Sequence, residues 1–132
     1  MATDPAFAST PNMASAVLGG FDASFTAPST VTTLITAALA GTQVYEITVQ
    51  ALATLTTGIV NVFIYTGSVY VLYDQFTLAT TPAGSTTVAA WQARRSYSNL
   101  ILKTGYSLRV THTTTGNDTS KLAVTAVGAD FT

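Results

Sequence analysis

Residues 43–55 read QVYEITVQALATL, and the alternation within this stretch decides the fold class. Apolar side chains recur at every second position from Tyr45 to Leu55, whereas Glu46, Thr48 and Gln50 occupy positions between them. A period of two places successive side chains on opposite faces of a β-strand. We therefore predict a strand with one buried face and one solvated face.

The same pattern continues along the chain, which contains 26 threonines, a β-branched residue that favours strands over helices. Turn sequences such as Thr66-Gly67-Ser68 and Lys103-Thr104-Gly105 separate the alternating segments. The predicted strands cover residues 30–37, 43–55, 59–65, 69–79, 86–95, 98–103, 106–113 and 121–131. Seven or eight antiparallel strands joined by short turns indicate an all-β fold, and we favour a jelly-roll-like β-sandwich domain over residues 30–132.

Residues 1–29 differ in composition, being rich in Ala, Ser, Thr and Pro without sustained periodicity. We interpret them as an extended N-terminal arm. Phe7, Phe21 and Phe25 are spaced along it. Two interpretations stay open: a frayed terminus, or an anchor whose aromatic side chains fill pockets on a neighbouring subunit.

The charge composition argues against several classes of partner. Charged residues make up 8% of the chain, against roughly 25% in an average soluble domain. Five basic and six acidic residues give a net charge of -1, which is unlike the basic surface of nucleic-acid or anionic-membrane binders. No stretch approaches the roughly 18 apolar residues of a membrane-spanning helix. We therefore expect neither nucleic acid nor a membrane as a partner.

Few residues are candidates for chemistry. The chain has no Cys, and His112 has no second His to complete a metal site, so we predict a surface histidine. Asp74 is predicted on the same side of its strand as apolar residues. A bulge, or a partner such as Arg109, explains this position better than a catalytic role does. Asn117-Asp118-Thr119 matches a glycosylation sequon but reads better as a turn. We predict no enzyme, catalytic residue, metal or cofactor.

Two groups of residues are typical of interfaces instead. Trp91, Arg94 and Arg95 combine the residue types that are enriched at interface hot spots; alternatively, Trp91 packs in the core and the arginines are solvated. The strand at residues 59–65 is apolar on both faces, which suggests that Phe63 and Tyr65 contact something beyond the domain's own core.

Several segments resemble a family of small structural proteins of tailed bacteriophages. They are Val31-Thr32-Thr33-Leu34, Val44-Tyr45-Glu46-Ile47, Gln50-Ala51-Leu52, Val62-Phe63-Ile64-Tyr65, Asn99-Leu100-Ile101-Leu102, Gly105-Tyr106-Ser107-Leu108-Arg109-Val110 and the ending Val124 to Phe131. The resemblance covers roughly residues 30–131. It implies a β-sandwich head decoration, or cement, protein that sits as a homotrimer on the outside of the capsid and binds the major capsid protein.

This resemblance leaves two other functions open. One keeps the protein in the virion but places it in the tail or a fibre as an adhesin. The other is a carbohydrate-binding module, in which exposed Tyr65, Tyr70, Tyr73 and Trp91 would stack on sugar rings.

Overall fold

The computed structural model describes residues 8–78, 80 and 84–131, and it confirms the predicted all-β sandwich. Two four-stranded antiparallel sheets pack face to face: sheet A has the order β1-β8-β3-β6 and sheet B the order β2-β7-β4-β5. The strands are β1 (Ala8–Val17), β2 (Thr32–Thr36), β3 (Thr42–Ala51), β4 (Gly58–Tyr65), β5 (Tyr70–Leu78), β6 (Gln92–Leu102), β7 (Ser107–His112) and β8 (Leu122–Phe131). A short 3-10 turn, η1 (Thr115–Asn117), precedes β8. No helix among the described residues is long and apolar enough to cross a membrane.

The strand order follows from four nested pairs. β4 pairs with β5, β3 with β6, β2 with β7 and β1 with β8, each antiparallel. The chain is therefore one long antiparallel ribbon, with the β4–β5 hairpin at its tip. Rolling this ribbon brings β3 beside β8 and β4 beside β7, which completes both four-stranded sheets. This arrangement is the jelly roll that the sequence favoured.

The core lies between the two sheets and is built from alternate strand positions. Val60 and Val62 of β4 and Val124 and Ala126 of β8 belong to this core, and all four are fully buried. Branched aliphatic side chains pack well on a pleated surface and contribute about 1.5–3 kcal/mol each when buried. The core therefore has enough apolar volume to hold a single domain without disulfides.

Residues 8–17, which we predicted to belong to an arm, form edge strand β1. It pairs with β8 from Ala8 opposite Phe131 to Val17 opposite Ala123. Its inward residues Ala14 and Ala16 are small and only partly buried, so they produce no clear hydrophobic alternation in the sequence. Pro11 is tolerated because β1 lies at the edge of the sheet.

Bulges shift the face that several side chains occupy. In β3 the register slips between Val44 and Glu46, so that Val44 and Ile47 both face the core and Tyr45 is exposed. The prediction that Tyr45 is buried in phase with Ile47 was therefore wrong. A bulge inserts one residue into one strand only and inverts the alternation beyond it.

β5 contains a second bulge, and β6 differs from the prediction in its extent. Tyr73 is the extra residue in β5, so Tyr70 and Leu72 face outward while Asp74 and Phe76 face the interior. The predicted strands 86–95 and 98–103 form one strand, β6, that begins at Gln92. Residues 85–88 instead form a turn, in which Ser85 N donates to the Val88 carbonyl at 2.8 Å.

Gly128 provides a test of the β3–β8 register. A Cβ at this position would lie 2.3 Å from the Gln43 carbonyl oxygen, which is backbone and cannot move without opening the pairing. We expect Gly128→Ala to lower the free energy of unfolding by about 2 kcal/mol, measured by urea denaturation. Gly19→Ala is the matched control, because a Cβ there has no atom within 4 Å, and we expect a change below about 0.5 kcal/mol. Equal effects of the two substitutions would contradict this register.

Candidate interaction surface

The Trp91, Arg94 and Arg95 group is divided by strand geometry. Arg94 lies opposite Thr48 and Arg95 opposite Ile47, so the two guanidinium groups leave β6 on opposite faces of sheet A. Arg94 points outward and pairs with Glu46 (Nε–Oε1 3.2 Å). Trp91 is partly buried and packs against the core. These three residues therefore do not form one contact patch.

Arg95 instead joins the two sheets at the side of the sandwich where β5 and β6 are the edge strands. Its Nη1 donates to the Asp74 carboxylate and to the Gln75 carbonyl (3.1 Å), while Tyr97 donates to the other Asp74 oxygen. The Arg95 guanidinium also lies 4.7 Å from the centre of the Phe76 ring. We call Asp74, Arg95 and Tyr97 the edge clamp. The sequence predicted a bulge or an Arg109 partner for Asp74; the bulge is present, but the partner is Arg95.

The edge clamp shifts the pKa values of its members in opposite directions. Burial alone would raise the pKa of Asp74, but hydrogen bonds from Tyr97 and Arg95 outweigh it and lower this pKa. Burial, followed by the hydrogen bond to Asp74, raises the pKa of Tyr97. Both shifts favour an ionised Asp74 and a neutral Tyr97, which is the state that holds the two sheets together.

A second cluster covers the outward face of sheet B. The Arg109 guanidinium carbon lies 4.0 Å from the centre of the Tyr65 ring, and its Nη1 donates to the Tyr70 hydroxyl at 2.8 Å. Phe63 meets the Tyr70 ring edge-on at 5.7 Å and is 0% exposed. The second face of β4 is thus covered within the chain, and Phe63 has no accessible surface to offer a partner. Tyr65 remains partly exposed.

The aromatic residues considered for sugar stacking do not form one row. Tyr65 and Tyr70 lie side by side on sheet B with ring centres 4.4 Å apart. Tyr73 contacts Tyr97 at 5.8 Å near the edge clamp, whereas Trp91 packs on the core. Only Tyr65 and Tyr70 therefore form a shared aromatic surface.

Phe21 and Phe25 are exposed on a loop that Asp22 organises, and Phe7 lies outside the described residues. The Asp22 carboxylate accepts hydrogen bonds from the backbone N–H groups of Ser24, Ser29 and Thr30. The bond from Thr30 is the largest influence on the pKa of Asp22, which is lowered despite the opposing effect of burial. Phe21 and Phe25 are therefore exposed on a loop whose backbone is held by hydrogen bonds to Asp22.

His112 is buried, contrary to the predicted surface position. It ends β7 opposite Val60, in the inward register, and is 1% exposed. Its Nε2 lies 2.7 Å from the Gly19 carbonyl oxygen and 3.4 Å from Asp118 Oδ1. This contact fastens the segment that crosses from sheet A to sheet B. Among the residues described, no group of three or more His, Cys, Asp or Glu side chains is placed to hold a metal ion.

The Asn117 side chain is also buried, which supports the turn interpretation of the Asn117-Asp118-Thr119 sequence. Its Oδ1 accepts from Thr56 N at 2.9 Å and its Nδ2 donates to the Thr56 carbonyl at 2.9 Å. An amide with both ends bonded inside the fold is not accessible for modification.

The outward face of sheet A, which we call the A face, is exposed to solvent. It carries exposed apolar side chains from all four strands of the sheet, namely Met13, Val17, Tyr45, Ile101 and Val127. Its members are Met13, Ser15, Val17, Tyr45, Glu46, Thr48, Gln50, Gln92, Arg94, Ile101, Thr125 and Val127. Sequence reasoning missed this face because bulges displace Tyr45 and because β1 was not predicted as a strand.

Comparison with known proteins does not assign this chain to a family. Neither a scan against protein-family models nor a search of curated proteins gave a match to this chain.

The edge clamp makes stability depend on pH. Because the pKa of Asp74 is lowered from 3.8 on folding, its ionised form stabilises the fold above that value, and this contribution is lost as the pH falls through the folded-state pKa. We expect Asp74→Asn to lower the free energy of unfolding at pH 7 by about 1 kcal/mol, allowing for solvent screening at the half-exposed Arg95. The difference from the wild type should shrink below pH 4, as measured by urea denaturation at several pH values.

Glu46→Gln is the matched control for this experiment, because it removes a carboxylate from the exposed ion pair with Arg94. We expect a change below about 0.5 kcal/mol. A difference between wild type and Asp74→Asn that stays constant from pH 7 to pH 2 would show that the carboxylate's charge is not what stabilises the clamp.

Proposed function

We propose that this chain is a structural virion protein that binds the outside of a tailed-phage capsid as a homotrimer and cements the shell. The resemblance noted for residues 30–131 motivates this proposal. The jelly roll is compatible with it, since this architecture serves in viral capsid proteins, although it also serves in lectins.

The observation that carries the proposal is the neutral character of the surface. Most of the charged side chains that the structure describes are hydrogen-bonded or ion-paired within the chain. Arg94 and Arg95 are paired with Glu46 and Asp74, and Asp130 Oδ1 accepts from Thr42 Oγ1 at 2.6 Å. A protein surface can cover such a molecule without stripping water from unpaired ions, which is the main cost of burying charge.

Cementing would follow from mass action. A protein that binds the assembled shell but not its separated subunits stabilises the shell by an amount that grows with its concentration relative to Kd. A trimer could contact three capsid subunits at once, so that contacts which are weak singly would hold together strongly. Shell stabilisation then needs no catalytic group.

One observation favours a second candidate, a sugar-binding adhesin of the tail or a fibre. Tyr65 and Tyr70 are adjacent, and Arg109 lies against both rings. Aromatic faces and a guanidinium are common partners of sugars. Binding on a glycan array that is lost in Tyr70→Ala would favour this function over the capsid role, and the absence of any binding would remove it.

The oligomeric state gives the first test of the capsid role. A homotrimer of this 13.7 kDa chain has a mass of about 41 kDa. We expect this mass by size-exclusion chromatography with light scattering over a hundredfold range of concentration. A monomer throughout that range would contradict the homotrimer.

The second test uses the shell itself. We expect shells of the source phage that carry the protein to break at a higher temperature than shells without it, because bound trimers stabilise only the assembled state. Differential scanning calorimetry of both preparations measures the difference, with the purified protein added back to bare shells as a control. Identical transition temperatures would reject the cement function even if the trimer is confirmed.

A further inference from the structure

We propose that the A face is the surface through which this chain binds a second copy of itself. The inference deepens the proposed function and rests on its homo-oligomer. It assigns the contact to the outward side of sheet A and not to the strand at residues 59–65, whose second face the chain already covers.

The two outer faces of the sandwich differ in how they are covered. On sheet B the outward residues Asn61, Phe63 and Thr111 are buried within the chain. On sheet A the outward residues Met13 and Val127 are exposed, Met13 to 67%. The centre of the outward face of sheet B is therefore covered within the chain, although Tyr65 and Tyr70 stay partly exposed, whereas the outward face of sheet A presents Met13 and Val127 to solvent.

Polar side chains on the A face bond to one another across the strands. Ser15 Oγ lies 2.8 Å from Thr125 Oγ1, and Gln92 Nε2 donates to Gln50 Oε1 at 3.0 Å. Thr48 Oγ1 donates to Glu46 Oε1 at 3.3 Å. Covering these groups costs less than covering unbonded ones, since their hydrogen bonds persist in the interface. Another protein surface can therefore cover these polar side chains of the A face without breaking their hydrogen bonds.

The charges on this face favour a second copy over a charged partner. Within the described part of the chain, Glu46 and Arg94 are the only charged side chains on the A face, and they pair with each other. A strongly acidic or basic partner would therefore find no counter-charge. A second copy of this chain is itself charge-poor, so the two neutral surfaces can meet without repulsion.

The size of the face is also sufficient. Four strands about 4.8 Å apart and about ten residues long, at roughly 3.3 Å per residue, cover roughly 600 Å². Two copies would then bury roughly 1,200 Å², the lower end of the range for specific stable interfaces. One A face against another makes a two-fold pair of this area, whereas in a homotrimer each A face would be divided between two neighbouring copies.

Val127→Lys tests the proposal directly. Val127 lies opposite Glu46 on β3, so a lysine there has a carboxylate beside it and the isolated fold should tolerate it. We expect its oligomer to dissociate at least tenfold more readily than the wild type by light scattering. Leu39→Lys is the matched control, because Leu39 is 90% exposed in the turn between β2 and β3, and it should keep the wild-type mass. Thermal midpoints by circular dichroism establish that both variants fold.

Met13→Lys is the second variant, in case Val127→Lys does not fold, and we expect it to weaken the oligomer in the same way. If the wild type and both A-face variants are equally stable trimers, the A face is not the interface, while the homotrimer stands. A wild-type dimer that both variants dissociate would support the A face and reject the trimer. A wild type that is monomeric at every concentration would overturn both.

Discussion

Nested antiparallel pairing is the constraint on which this structure depends. The pairs β1–β8, β2–β7, β3–β6 and β4–β5 each have to form in one register. A slip by one residue would turn every core side chain of the slipped strand toward solvent. Bulges at Tyr45 and Tyr73 adjust this register so that Val44 and Asp74 face the interior. The outermost pair, β1 with β8, joins residues that are far apart in sequence, and this non-local closure is the kind of contact that slows folding.

Strands could be predicted from the sequence where the strand's own alternation of apolar and polar residues marks its buried face. In the β7 sequence Leu108 and Val110 alternate with polar residues, and β7 and β8 were both predicted close to their observed bounds. β1 could not be found in this way, because Ala14 and Ala16 are too small to mark a buried face. The bulge at Tyr45 was not predictable either, since it depends on the partner strands, whose residues lie far away in the sequence.

The candidate site was harder to predict than the fold, because its geometry is tertiary. Trp91, Arg94 and Arg95 are close in sequence, yet alternation sends the two arginines to opposite sides of β6. The partnership of Asp74 with Arg95 spans two sheets, so no local spacing could indicate it. Composition did indicate a charge-poor surface, but only the strand order shows which residues of that surface lie together. The A face accordingly combines residues from positions 13 to 127.

Pro11 has a consequence for how copies of this chain can assemble. It lies in β1, the free edge of sheet A, and provides no N–H group for a neighbouring strand. An incoming strand could not form an unbroken ladder there, so growth into a continuous intermolecular sheet is interrupted at its first step. Pro11 thereby works against fibril growth from this edge, which is a hazard for a Thr- and Val-rich β protein.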